Sequence, residues 1–163
     1  MEQTRVRFLA LLNSIPESDY GLPTDNPAWT VGDVLYHITL GPRALAFEIW
    51  MIIHFRGLFQ FGMNIFPTTL FDWVNARFAQ RGGRVSRQSL TEAYGKSHAA
   101  IRSRLRRTRE ADFSKSATYP ADFSSELKGE VTVERLFLHV KEHFEAHALQ
   151  VEKKGVGRSE NHL

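Results

Sequence analysis

The chain of 163 residues contains no cysteine, which excludes a disulfide framework, a thiolate nucleophile and every cysteine-ligated zinc site. Any metal must be held by histidine, aspartate or glutamate. Long uninterrupted apolar runs are missing too. The most apolar stretch, Ala44 to Phe61, is broken by Glu48, His54 and Arg56 and does not read as a membrane span. The run FLALL (Phe8 to Leu12) follows Arg5 and Arg7, but it is too short for a signal-peptide core and lacks a small-residue cleavage site, so the expected location is the cytoplasm. Nor is charge of one sign in large excess. A formal net charge of +3 bears on solubility and weak non-specific attraction, and argues against a dedicated nucleic-acid binder.

What is present is the composition of a folded globular protein, 42% hydrophobic and 24% charged. Its length predicts one domain over residues 1–155, with a frayed tail at 156–163. Apolar residues recur at three and four positions and alternate convincingly nowhere, which predicts an all-α fold of four long helices and one shorter element. The first helix is expected over Gln3 to Asn13, before Pro16. The second begins at Thr30, where Thr30 and Asp33 form a capping-box pattern and Trp29 and Val34 a hydrophobic staple. It is expected to reach Phe55, with a kink at Gly41-Pro42, before an apolar connection, RGLFQFGMNIFPTT, that covers the core or lines a pocket. A short helix from Thr69 to Ala79 stops at the glycines of RGGR. Ser89 is the expected cap of the next helix, which carries Leu90, Tyr94, Ile101 and Leu105 on one face as far as Arg107. A polar loop then leads to the last helix, Thr132 to Lys154.

That last helix carries HVKEHFEAH, with His139, His143 and His147 at four-residue intervals. One ion cannot hold all three, because the outer two stand about 12 Å apart along the axis. A pair one turn apart can share an ion. Projected around the axis, Val133, Phe137, Val140, Phe144 and Val151 define an apolar stripe. His147 falls within it and His143 at its margin, whereas His139 turns toward solvent. His143 and His147 are therefore the better-buried pair. On the second helix His37 sits at the edge of the stripe formed by Val31, Val34, Leu35, Ile38, Leu45 and Ile49, and Gly41 leaves space one turn above it. Three neutral imidazoles with a vacant side suit a metal that keeps positions for water or substrate. The competing reading is of half-buried histidines satisfied by backbone carbonyls. His54 and His98 have no such partners and read as structural or surface residues.

The segment WTVGDVLYHI (Trp29 to Ile38) followed by EHFEAHALQV (Glu142 to Val151) resembles the DinB-like, or YfiT-like, metalloenzyme superfamily, which includes the N-terminal domain of mycothiol-dependent maleylpyruvate isomerase. The resemblance spans most of the chain. It implies a four-helix bundle, here with an additional short helix, in which His37, His143 and His147 hold a divalent metal, nickel or zinc and in some cases iron. The chain is too short to hold the second domain of the maleylpyruvate isomerases, so that particular activity does not carry over.

A three-histidine metal with open positions activates water or a thiol. The expected function is hydrolysis or thiol-dependent transfer on a small electrophilic substrate. With no cysteine in the chain, the thiol must arrive as a low-molecular-weight co-substrate. No general base stands out, since Glu142 and Glu145 project away from the histidine face. Gln150 and Asp33 are candidates to support the ligands, by contact with the site and by orienting His37 respectively, although Asp33 is better explained as the cap and Trp29 as staple and core. Two further readings compete. One is a non-catalytic, metal-stiffened helical protein that forms a homodimer through its Phe-rich segment. The other is an acidic-partner or nucleic-acid module built on Arg102, Arg104, Arg106, Arg107 and Arg109, against which stands the ordinary preference for positive charge at a helix C-terminus.

Overall fold

The computed structural model describes residues 1–26, 28–80, 85–124 and 126–156, with backbone only at 72, 78, 79 and 152–156. Among them are five α-helices: α1 (Glu2–Ser14), α2 (Val31–Ile65), α3 (Thr68–Ala79), α4 (Arg87–Arg107) and α5 (Val133–Val156). The fold is thus mostly helical. The expected glycine stop at 81–84 and the tail at 157–163 lie outside the described residues.

Helix α2 is the axis of the molecule and packs on both α4 and α5, while α1 closes the other side against the same two helices. Its start follows from sequence. The Thr30 side chain accepts the Asp33 amide, and the Asp33 carboxylate accepts the Thr30 amide at 2.9 Å and its hydroxyl at 2.8 Å. Losing either cap partner should cost about 1 kcal/mol. The predicted stripe of Val31, Val34, Leu35, Ile38, Leu45 and Ile49 is buried throughout. By length and composition α2 is apolar enough to cross a membrane; this stripe accounts for part of that apolarity as core, while Phe47, Leu58, Phe61 and Ile65 are exposed.

The first run of α2 ends at Phe55 as expected, where the backbone leaves helical geometry (φ −137°, ψ 40°); a second run continues across this kink to Ile65, so the expected apolar connection is largely helix, and no such departure falls at Gly41-Pro42. Pro42 removes an amide and crowds the carbonyl one turn back. The next amide, on Arg43, donates to Ser97 Oγ of α4 at 2.8 Å. This inter-helix bond ties the turn after Pro42 to α4, and α2 continues. Helix α4 is capped by Ser86, whose hydroxyl accepts the Ser89 amide; the expected cap, Ser89, lies one turn inside. Leu90, Tyr94 and Ile101 are buried as expected, whereas Leu105 is exposed on the last turn.

The expected polar loop before α5 is partly strand. β1 (Ser116–Tyr119) and β2 (Gly129–Thr132) pair antiparallel, from Ser116 opposite Thr132 to Tyr119 opposite Gly129. Gly129 enters β2 with φ +68°, a conformation that favours glycine. Four-residue strands are too short to register as alternation, which is why periodicity missed them. Thr132 ends β2, and its hydroxyl accepts the Arg135 amide in the first turn of α5.

The core has two parts. One gathers Phe8, Leu12, Val34, Leu35, Ile38, Tyr94, Phe144, Ala148 and Val151. The other gathers Leu45, Ile49, Ile52, Ile101, Tyr119, Leu127, Leu136, Phe137 and Val140. The division falls between Ile38 and Leu45 on α2 and between Val140 and Phe144 on α5, the level at which His37, Gly41 and His143 stand.

Candidate metal centre

At that level α2 and α5 present three imidazoles to one another. One ring nitrogen each from His37, His143 and His147 lies within 4.8 Å of the other two, and His143 Nε2 stands 3.1 Å from His37 Nε2. Gly41 makes the approach possible. A Cβ there would come within 2.7 Å of both Cε1 and Nδ1 of His143. The space expected above His37 is therefore taken by the His143 ring rather than left open.

All three rings are driven toward the neutral form. Burial, reinforced by His147, lowers His37 to about 3. Burial and the neighbouring His37, His147 and His139 hold His143 well below the ordinary range. His147 is also lowered by burial, with its bond to Gln150 acting the other way. Neutral imidazole is the form that ligates a metal. His147 Nδ1 donates to Gln150 Oε1 at 3.2 Å, which fixes the tautomer and leaves the Nε2 lone pair available. His37 Nδ1 is buried with no hydrogen-bond partner, an unsatisfied group in a site otherwise made of nitrogen lone pairs. A donor set of three neutral imidazoles fits a divalent metal, so the cluster could bind one.

Several residues stand elsewhere than expected. Asp33 does not orient His37, since that ring's Nδ1 has no hydrogen-bond partner and the carboxylate is engaged in the helix cap. Trp29 is more than a staple: its ring lies 4.9 Å from that of His37, edge-on, and 6.1 Å from that of His147, nearly parallel. His139 is buried rather than turned to solvent, with Nδ1 3.4 Å from Glu142. His98 is buried against the Met1 carbonyl at 3.1 Å, and His54 is exposed. The arginine run is dispersed. Arg102 reaches Glu2, Arg109 pairs with Asp112, and Arg104 and Arg107 border a shallow groove with Arg43.

The histidines open onto a cavity of about 500 Å³. Its walls include Trp29, Leu40, Leu45 and Glu48, Phe71 and Asn75 of α3, Phe123 and Leu127 from the turn between the strands, and Glu142. Glu142 was expected to project away; instead it lines the cavity, paired with Arg135 at 2.6 Å. Glu145 does turn outward, to Arg7. The Phe-rich segment 55–66 does not line the cavity; Phe71 and Phe123 take that place. Glu48 and Tyr119 were missed. The signal for Glu48 was available, because Glu48 follows His37 by about three full turns on one helix face.

The chain matches the DinB superfamily over residues 1–151 and belongs to it. Among solved structures it is similar to mycothiol-dependent maleylpyruvate isomerase, in two crystal structures of which one is a histidine-to-alanine mutant. The TM-score is 0.68 in both, at 12% and 13% identity, and the match covers 92% of this chain and 57% of those chains. The likeness is one of fold, and the chain spans little more than half the length of those proteins. No curated protein matches the chain.

Proposed function

We propose that His37, His143 and His147 hold a divalent metal, nickel or zinc or else iron, and that the protein is a metal-dependent enzyme acting on a small electrophilic molecule by thiol-dependent transfer or by hydrolysis. The observation that carries this reading is the convergence of three neutral imidazoles at one end of a cavity large enough for a small ligand. When bound, such a metal lowers the pKa of water or of a thiol toward neutrality and so supplies the nucleophile. The chain's own part is positional. Gln150 holds the His147 ring, Gly41 admits that of His143, and Trp29 shields His37 and His147 on one side. Because the chain has no cysteine, the thiol is a low-molecular-weight co-substrate, a reading favoured by the likeness to a mycothiol-dependent protein. In the same reading α1, α2, α4 and α5 form the superfamily's four-helix bundle, and residues 1–155 are one cytoplasmic domain.

A second reading rests on a different surface. Phe47, Leu58, Phe61, Ile65, Phe66 and Trp73, along the later turns of α2 and on α3, are all more than half exposed, an apolar area that suits a homodimer contact. In that case the metal stiffens the crossing of α2 and α5 without turnover.

Elemental analysis after reconstitution with nickel or zinc separates these readings from no metal at all. The parent should carry near-stoichiometric ion and both His143→Ala and His147→Ala should lose it. Parent metal at the level of the variants would overturn the metal centre. With metal established, consumption of an electrophile that requires both thiol and metal would mark the enzyme, and a metal-bearing dimer inert to such pairs would mark the second reading.

A further inference from the structure

The cavity has a second polar end. Glu48 stands about 16 Å beyond His37 along α2, and both line the same space. Its carboxylate accepts the Tyr119 hydroxyl at 2.8 Å, and Tyr119 is buried on β1. Among the described residues Glu48 makes no ion pair; of the two other carboxylates that line the cavity, Glu126 and Glu142, the latter is taken by Arg135 and His139. The walls of the same cavity include Leu45, Phe71, Phe123 and Leu127, with Asn75, Ser124 and Glu126 as polar members from the same segments. Burial raises Glu48 to about 7, with the Tyr119 bond pulling the other way.

A carboxyl group in such a wall is costly to ionise unless a cation accompanies it. Tyr119 occupies one of about four acceptor sites on the carboxylate and brings no charge. A neutral ligand would add a hydrogen bond of ordinary strength, and an anion would be repelled. A cation removes the cost of ionisation and gains a charge-assisted bond inside an apolar enclosure, with Phe71 and Phe123 nearby to receive the carbon skeleton.

We infer that the Glu48 end of the cavity binds the ammonium group of an elongated ligand whose reacting end lies at the three histidines. The words "reacting end" rest on the function proposed above; the ammonium subsite rests on Glu48 and its surroundings alone.

The test uses metal-free, full-length protein at neutral pH and three probes of similar size: phenethylamine, phenethyl alcohol and hydrocinnamate, titrated calorimetrically. The amine should bind at least about ten-fold tighter than the alcohol or the carboxylate, and Glu48→Gln, which keeps an acceptor for Tyr119, should bring amine and alcohol to within about two-fold of each other. Equal affinities in the parent, a preference that survives Glu48→Gln, or no binding of the amine would each overturn the inference. Should the glutamine variant fail to fold, Glu48→Asp serves in its place: it keeps the charge and withdraws it, so amine affinity should fall while alcohol affinity holds, and unchanged amine affinity would overturn the inference. Metal loading of the same parent preparation keeps the two readings apart. Metal without amine preference sinks this inference alone, and amine preference without metal sinks the metal centre alone.

Discussion

The two ends of the cavity treat protons in opposite ways, although both are lined mainly by apolar groups. At the histidine end burial strips protons from bases, favouring neutral His37, His143 and His147, one ring nitrogen of each within 4.8 Å of the others. At the Glu48 end burial keeps a proton on an acid. The cause is the same, since low polarity disfavours whichever form is charged. The difference lies in what would relieve each end. Three neutral imidazoles suit a cation with empty orbitals, and a half-buried carboxyl without an ion pair suits a cation that also donates hydrogen bonds. On the two proposals above, one cavity wall would serve two distinct cations.

The sharpest way to break the comparison is at Gly41. Gly41→Ala places a methyl 2.7 Å from two atoms of the His143 ring, so the ring must move. Metal affinity measured by competition with a chelator should fall by on the order of 100-fold, with helical content kept and the Glu48 end undisturbed. Gln150→Ala is the milder form of the same test. It frees His147 Nδ1 and should weaken metal binding by about ten-fold. Unchanged affinity in the first variant would mean that His143 is not a ligand.

Stability against pH sharpens the contrast in the metal-free protein, because the two ends slope in opposite directions. An unfolded histidine binds a proton below about 6.5, while folded His37 resists it down to about 3. The unfolded state then holds more protons, so the histidine contribution is complete above about 6.5 and is lost as pH falls through that window. For Glu48 the folded state holds its proton up to about 7 against 4.5 for an ordinary glutamate. Its contribution is complete below 4.5 and is lost as pH rises to 7, amounting to at most about 3 kcal/mol. Urea melts of parent and Glu48→Gln between pH 4.5 and 8 should show the variant gaining on the parent as pH rises. Parallel profiles would remove the buried-acid description of Glu48.

Most of the histidine end was legible in the sequence. The HxxxH spacing and the stripes on α2 and α5 point to His37, His143 and His147, because helical periodicity places side chains on faces and these faces are what pack. His139 escaped the same logic because projection knows one helix at a time: its burial is supplied by its surroundings in the fold, with Glu142 beside it. The Glu48 end was only half legible, for a related reason: Glu48 shares a face of α2 with His37, but its partner does not lie on that helix. Its second member, Tyr119, lies on a four-residue strand that pairs with residues on the far side of a turn. No local pattern links position 119 to position 48, and that turn delivers Phe123 and Leu127 to the cavity. Helix faces are written locally, whereas a strand pair that brings a wall to a helix is not.

The smallest expected effect separates the two roles that Tyr119 can have. As a structural tie between β1 and α2, its hydroxyl should be worth about 1 kcal/mol, so Tyr119→Phe should lower stability by that amount at any pH. As the donor that moderates Glu48, it also opposes the rise produced by burial, and its removal should push the carboxyl higher and carry the Glu48 transition in the stability profile to higher pH. The amine preference should persist in Tyr119→Phe, since the carboxyl remains and gains a free acceptor site. Tyr119→Phe and Glu48→Gln therefore act differently on the same transition, the first moving it upward and the second abolishing it. A tie that merely holds the hairpin in place would lower the whole profile and leave the transition where it stands.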